Sequence, residues 1–179
     1  MIHDFAEDLG WSQAASHEPF WQAVYTKAFP DMIGNMLAEG DTEAQRLGID
    51  RWVHLSTGKV LAIDEKKRSG DWPDVALEYH HEGKPGMLGW IEKPLQVDFI
   101  AYAYMPSKTC LLLPWLLLRR TWLAHRAEWK DMAKREVGGF KLIKAPNREY
   151  TTHSIGVPRG YLLDRLRASQ IIDVSRELA

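Results

Sequence analysis

The chain has 179 residues, 45% of them hydrophobic and 26% charged, and a formal net charge of −1 at pH 7. This length suits a single domain over residues 1–179, with a core at about 20–135 and a C-terminal elaboration at about 139–179. The near-neutral charge argues against a general polyanion binder. The single cysteine, Cys110, excludes an internal disulfide and a cysteine-rich metal cage, and it favours a cytoplasmic location.

The charge is distributed unevenly along the chain. Residues 1–50 carry 2 Lys/Arg against 9 Asp/Glu, whereas residues 115–179 carry 13 against 7. A basic C-terminal third is compatible with nucleic-acid contact and equally with solvated helix faces. The N-terminal segment MIHDFAEDLGW contains acids and no apolar run, so we expect no signal peptide. The apolar stretch CLLLPWLLL is too short to cross a bilayer, so we expect no membrane partner.

The N-terminal half predicts helices followed by a β-hairpin. Residues 16–38 have helical spacing, with Ser16 as the cap and Pro19 in the first turn. Pro30 is expected to interrupt this helix, and DMIGNMLAE to continue it as a second helical piece. GDTEAQRLGI predicts a turn and a short helix. DRWVHLS and VLAIDEKKR, joined by the turn TGK, predict the hairpin, and DVALEYHH predicts a third strand.

The C-terminal half predicts further strands around one long helix. The predicted strands are DFIAYAY, KTCLLLP, GFKLIKAP and YTTHSIGVP. The long helix is WLLLRRTWLAHRAEWKDMAKREV, which Gly138-Gly139 would end. Its tryptophans recur at Trp115, Trp122 and Trp129, a spacing typical of a core face. RGYLLDRLRAS predicts a closing helix. Helix, antiparallel strands, long helix and strands together predict a mixed α/β domain.

Charged residues are concentrated where the hairpin strands begin and end. Asp50 precedes the first strand, and Asp64 and Lys66 follow the apolar run VLAI on the second. Residues two apart on a strand point to the same face, so Asp64 and Lys66 share a face. A turn at TGK brings Asp50 to the same end of the ribbon. The sequence therefore predicts two carboxylates and one ammonium in one small volume.

This trio of side chains suits metal-assisted phosphodiester hydrolysis. Two close carboxylates repel each other, and one of them would normally keep a proton. A divalent cation removes the conflict, and oxygen ligands suit Mg²⁺ or Mn²⁺. Such a cation can acidify a bound water, while the lysine stabilises charge on a phosphoryl oxygen or orients the water.

The arrangement resembles the active-site signature of the PD-(D/E)xK nuclease superfamily, which has the restriction-endonuclease-like fold. That signature is an Asp near the start of a β-hairpin, followed by an apolar strand ending in Asp/Glu-x-Lys. Here it reads Ile49-Asp50, then VLAI, then Asp64-Glu65-Lys66, with Ile in the place that Pro often holds. Glu65-Lys66-Lys67 also spells the motif, but we favour Asp64 and Lys66 because Asp64 directly follows the apolar run.

The resemblance implies a mixed β-sheet core flanked by helices, with Asp50, Asp64 and Lys66 as the catalytic residues. It implies Mg²⁺ (or Mn²⁺) as cofactor and DNA as substrate, in a small stand-alone enzyme like those of phages and mobile elements. Family members often dimerise, so a homodimer is a further expectation. An additional acidic metal ligand is usual, and Glu43 and Glu78 are the candidates; each has a plain structural alternative, as an exposed helix acid or an edge-strand acid.

Several further residues are candidates for DNA contact. Lys67 and Arg68 could bind phosphates or simply mark a strand end, and Arg148 lies in a polar loop of the basic third. Trp90, beside Gly89, could stack on a base or be a packing residue. Two rival functions remain at this point: a catalytically inactive nucleic-acid-binding or protein-interaction relative, and a structural protein that uses the tryptophan-rich helix as its partner surface.

Overall fold

The computed structural model describes residues 17–167 and 170–178. Within them the chain is mixed α/β, with two β-sheets and flanking helices, as the sequence predicted at this level. The described residues form two compact units. The six-stranded unit comprises residues 17–71, 94–117 and 170–178, and the three-stranded unit comprises residues 72–93 and 118–167.

Four α-helices are described. They are α1 (Glu18–Ala28), α2 (Thr42–Arg46), α3 (Trp115–Lys134) and α4 (Arg159–Leu166), with a 3-10 turn at Trp90–Glu92. Pro19 lies in the first turn of α1 as predicted, whereas the predicted cap Ser16 lies outside the described residues. Helix α2 begins after Asp41, whose side chain accepts hydrogen bonds from two backbone N–H groups. No helix in the described ranges has the length and apolar character needed to cross a membrane.

Among the described residues, nine strands build the two sheets. They are β1 (Met32–Leu37), β2 (Arg51–Leu55), β3 (Val60–Arg68), β4 (Asp74–Glu82), β5 (Phe99–Tyr104), β6 (Thr109–Pro114), β7 (Lys141–Pro146), β8 (Thr151–Pro158) and β9 (Gln170–Asp173). The six-stranded sheet has the order β1-β2-β3-β5-β6-β9, and the three-stranded sheet has the order β4-β8-β7. The predicted hairpin is confirmed as β2 and β3, which pair antiparallel around Gly58 at φ +83°.

The prediction of a second helical piece after Pro30 was wrong, because this segment is strand β1. Gly34 and Asn35 lie inside it, and both residues are poor helix formers. The strand pairs antiparallel with β2, with an irregularity in register between Met32 and Gly34. Its apolar residues Ile33 and Met36 are exposed, so the pattern that looked like a helix face is not a buried stripe.

The six-stranded sheet is mixed, as the predicted mixed β-sheet core requires. Strand β5 runs parallel to β3, with Asp64 paired to Ile100 and Lys66 to Tyr102. Between these strands lie residues 69–98, a connection long enough for the crossover that a parallel pair requires. The predicted third strand exists as β4, but it pairs with β8 in the other sheet. Strand β9 was not predicted.

Each unit has its own apolar core. In the six-stranded unit, helix α1 packs Trp21, Val24 and Tyr25 against residues of one sheet face, including Ile63 and Cys110. In the three-stranded unit, Trp122 and Trp129 of α3 are fully buried, and Trp129 contacts the rings of Phe140 and Tyr161. The predicted core role of the tryptophan repeat and the burial of Cys110 are confirmed.

Candidate active site

Asp50 is held at the point where β2 begins. Its backbone N–H donates to the carbonyl of Ile63 (2.9 Å), and its own carbonyl accepts from the N–H of Ala38 (2.9 Å). Its side chain accepts a hydrogen bond from the backbone N–H of Glu65 at 2.7 Å. Since Arg51 pairs with Ile63 in the ladder, Asp50 lies one position beyond that pair, opposite Asp64.

Asp64 and Lys66 share this corner of the sheet with Asp50. The Asp64 side chain is 3% exposed and forms an ion pair with the Lys66 ammonium, which is 30% exposed. Burial raises the pKa of the Asp64 carboxyl to about 7; the Lys66 charge opposes this shift, while the nearby Asp50 carboxyl adds to it. The structure therefore brings together the two carboxylates and the lysine that the hairpin predicted, and one carboxylate resists ionisation as expected.

The side chains of β3 alternate between two faces. We call the side of Ala62, Asp64, Lys66 and Arg68 the even face, and the side of Leu61, Ile63, Glu65 and Lys67 the odd face. On the even face, the Arg68 guanidinium donates to the Tyr102 hydroxyl of β5 at 2.8 Å. The odd face packs against helix α1, since Leu61 and Ile63 belong to the core with Trp21.

Glu65 on the odd face is bound by two buried partners, Arg51 and Tyr25. Its side chain is 7% exposed, and its carboxylate accepts hydrogen bonds from Arg51 Nε at 2.6 Å and from the Tyr25 hydroxyl at 2.9 Å. Burial raises the pKa of Glu65, although the Arg51 charge opposes that shift. Burial also raises the pKa of the Tyr25 hydroxyl, and the Glu65 charge adds to the effect.

Arg51 joins this carboxylate to helix α1. Its side chain is 1% exposed and binds both carboxylate oxygens of Glu18, each at 2.7 Å. It also donates to the side-chain oxygen of Asn35 at 2.6 Å. Burial lowers the pKa of the Arg51 guanidinium, but the hydrogen bonds and charges of Glu18 and Glu65 outweigh burial and raise it. A buried arginine that is paired with two carboxylates forms a structural charge network.

The sequence did not identify Arg51, Glu18 or Tyr25 as part of this region. One signal was present: Arg51 follows Asp50 at the start of the strand RWVHL, at a position whose alternation points it into the core. A charge at a core position needs a partner, which would have predicted a buried acid nearby. The partners themselves were not predictable, since Glu18 is 33 residues away in the chain.

The predicted DNA-contact residues differ in exposure. Lys67 is half-buried on the odd face, 3.5 Å from His17 Nδ1, and burial lowers the pKa of its ammonium. Arg148 is exposed in the turn between β7 and β8. Trp90 is 7% exposed, so little of its indole surface is open to a stacking base. Arg68 is partly exposed beside Tyr102.

Neither predicted additional acid joins a cluster of metal ligands. Glu43 is exposed on α2 in the six-stranded unit. Glu78 lies on β4 in the three-stranded unit, where its carboxylate is 3.2 Å from His81 Nε2. Across residues 17–167 and 170–178, no group of three or more His, Cys, Asp or Glu has an arrangement that could hold a metal ion.

Asp50 and Asp64 nevertheless fit a cation that uses few protein ligands. Mg²⁺ is commonly held by one or two carboxylates and keeps several of its waters. The raised pKa of Asp64, caused by burial and increased by Asp50, marks a carboxylate pair that lacks compensating charge despite Lys66. A divalent cation between the two carboxylates would supply that charge.

No protein-family model, curated protein or solved structure matches this chain.

Proposed function

We propose that this protein is a divalent-metal-dependent nuclease that hydrolyses phosphodiester bonds of DNA on a restriction-endonuclease-like fold. The observation that carries the proposal is the convergence of Asp50, Asp64 and Lys66 at the open end of the β2–β3 hairpin. A buried carboxylate beside a second carboxylate and a lysine is a costly arrangement for stability alone. It is the arrangement that metal-assisted phosphoryl chemistry uses.

Each residue has a defined role in this proposal. Asp50 and Asp64 would hold Mg²⁺ or Mn²⁺, which when bound acidifies a water and stabilises charge on the phosphate. Lys66, partly exposed and anchored by Asp64, would donate to a non-bridging phosphate oxygen or orient the water. The N–H of Glu65 keeps the Asp50 carboxylate turned towards β3.

The substrate is assigned as DNA from the family resemblance and from the charges near the site. Arg68 shares the even face with Lys66 and would contact the phosphate backbone, whereas Lys67 lies half-buried on the odd face. Arg148, in the three-stranded unit, is a separate exposed candidate for phosphate contact. Trp90 would take part in DNA binding only if its indole became exposed. A cytoplasmic homodimer, which could cut both strands, belongs to the same proposal.

Nicking of supercoiled plasmid in Mg²⁺ or Mn²⁺ tests the proposal. We expect the wild type to cut in either metal and to stop in EDTA. Asp64→Asn and Lys66→Ala should each lower the cleavage rate by about 100-fold or more, because the first removes a metal ligand and the second removes a positive charge at the reacting phosphate. Lys59→Ala is the matched control, since Lys59 is an exposed lysine in the turn of the same hairpin. Cleavage that persists in both site variants would place the chemistry elsewhere.

The alternative is a catalytically inactive relative that binds nucleic acid or protein. One observation favours it: Asp64 is already paired with Lys66, and no third acidic ligand joins the pair among the described residues. Salt-dependent DNA binding in EDTA, with no cleavage of DNA or RNA in Mg²⁺ or Mn²⁺, would support this alternative.

A further inference from the structure

Residue Glu65 connects the even and odd faces of β3 through two different groups. Its backbone N–H donates to the Asp50 carboxylate at 2.7 Å, on the side of the candidate site. Its own carboxylate, on the odd face, accepts from Arg51 Nε at 2.6 Å. Since Arg51 directly follows Asp50, these two hydrogen bonds tie the start of β2 to the end of β3 twice, once through each face.

Arg51 at the start of β2 is held by hydrogen bonds to three side chains. Its guanidinium is 1% exposed and holds Glu18 of α1 with two bonds of 2.7 Å. A third contact, to Asn35 of β1, measures 2.6 Å. The planar guanidinium has a fixed fork of donors, so it sets the direction of every group that it binds, which a lysine ammonium cannot do. Helix α1 and strands β1, β2 and β3 are thus connected through one side chain.

We propose that Arg51 is a positioning residue for the Asp50–Asp64 carboxylate pair. This inference rests on the proposed function, because it concerns the metal that the pair would hold. Arg51 acts through Glu65: its bond to that carboxylate fixes the register of residue 65, whose N–H in turn orients Asp50. Groups that orient metal ligands from outside typically change metal affinity by about 10–100-fold when altered.

Mn²⁺ affinity of the full chain, measured by electron paramagnetic resonance without any substrate, provides the test. Arg51→Lys keeps the charge and loses the fork, and we expect it to bind Mn²⁺ about 10-fold more weakly than the wild type. Glu18→Gln, a milder change at a half-exposed partner, should weaken binding by about 3-fold. Urea unfolding of each variant reports its stability separately.

Val24→Ala is the control for a purely structural effect. Val24 is fully buried on α1 and packs in the same core, but it makes no polar contact with the Arg51 network. We expect this variant to lose stability and to keep its Mn²⁺ affinity within about 2-fold. The baseline is Asp64→Asn, which should abolish specific Mn²⁺ binding.

The outcomes distinguish the positioning role of Arg51 from the proposed nuclease function. Weaker Mn²⁺ binding in Arg51→Lys and Glu18→Gln, with Val24→Ala unaffected, supports the positioning role. Wild-type affinity in Arg51→Lys, or equal weakening in Val24→Ala, overturns it and leaves the nuclease proposal standing. If the wild type itself binds Mn²⁺ no better than Asp64→Asn, the proposed metal site fails and the positioning role fails with it.

Discussion

The two faces of strand β3 treat neighbouring carboxylates in opposite ways. Glu65, on the odd face, is surrounded by donors: Arg51 and Tyr25 both bind its carboxylate. Asp64, on the even face, is just as buried but has one cation, Lys66, and a second carboxylate beside it. Because the two acids are consecutive in the chain, the difference comes from the partners that the fold brings to each face.

This comparison separates a structural acid from a candidate functional one. A buried carboxylate with matched donors stabilises the fold only modestly, but removing one partner is expensive. A buried carboxylate next to another acid stays poorly compensated until something else binds, and this is the property expected of a metal ligand. The number of charged partners and the sign of their charges therefore distinguish the two acids, whereas burial does not, since both are buried.

Arg51→Met should have the largest effect on stability. This substitution removes the positive charge beside the buried Glu65 carboxylate, which keeps its hydrogen bond from the Tyr25 hydroxyl. We therefore expect a loss of about 3–5 kcal/mol in the free energy of unfolding. The measurement is urea unfolding in EDTA. The double variant Arg51→Met/Glu65→Leu should recover most of the loss, because it removes both charges. If Arg51→Met alone were as stable as the wild type, the ion pairs of Arg51 would not contribute to stability.

The cleavage rates of Lys66→Ala and Lys67→Ala test which face of β3 contributes to catalysis. We expect Lys66→Ala to slow plasmid cleavage by about 100-fold, equivalent to about 2.7 kcal/mol of transition-state stabilisation. Lys67 lies half-buried on the odd face, away from Asp64 and Lys66, so Lys67→Ala should slow cleavage by less than about 5-fold. The reverse ranking would assign the chemistry to Glu65 and Lys67, the second register in which the motif can be aligned.

The hairpin and its charged end were predictable because their determinants are local. TGK specifies the turn, VLAI is a short apolar run typical of a buried strand, and the spacing of Asp50 and Asp64 follows from that turn. Alternation also separated Asp64 and Lys66 from Glu65 and Lys67 correctly. The side chains that form the even-face trio lie within one hairpin, so no distant information was needed.

The rest of the region depends on contacts that are distant in the chain. Glu18 meets Arg51 across 33 residues, and Tyr25 meets Glu65 across 40. Strand β1 has apolar residues at spacings that also suit a helix, and only its pairing with β2 decides between the two. The parallel pairing of β5 with β3 likewise depends on where the 69–98 connection returns the chain.

Asp64→Asn should stabilise the metal-free protein at neutral pH. In the unfolded chain this carboxyl has its ordinary pKa of 3.8, whereas burial, increased by Asp50, raises it to about 7 in the fold. Its contribution to stability is fully present below about pH 3.8 and is lost as pH rises through about 7. The free energy of unfolding of Asp64→Asn, relative to that of the wild type, should therefore rise across this pH window by about 2 kcal/mol. The full pKa shift corresponds to an upper limit of roughly 4 kcal/mol.

Urea unfolding in EDTA at several values between about pH 5 and about pH 8 measures this difference. The matched control is Asp71→Asn, at an exposed aspartate of the same unit. A constant difference between wild type and Asp64→Asn would contradict the raised pKa of Asp64.

Tyr25→Phe and Tyr102→Phe compare a hydroxyl on each side of the sheet, and these effects should be the smallest. Tyr25→Phe removes a hydrogen bond to the buried carboxylate of Glu65 and should cost about 1.5 kcal/mol. Tyr102→Phe removes a bond from Arg68, whose partly exposed guanidinium can turn to water, and should cost about 0.5 kcal/mol. In the Arg51→Met background the cost of Tyr25→Phe should rise, since both donors serve one carboxylate. Additive costs would show that the odd-face donors act independently.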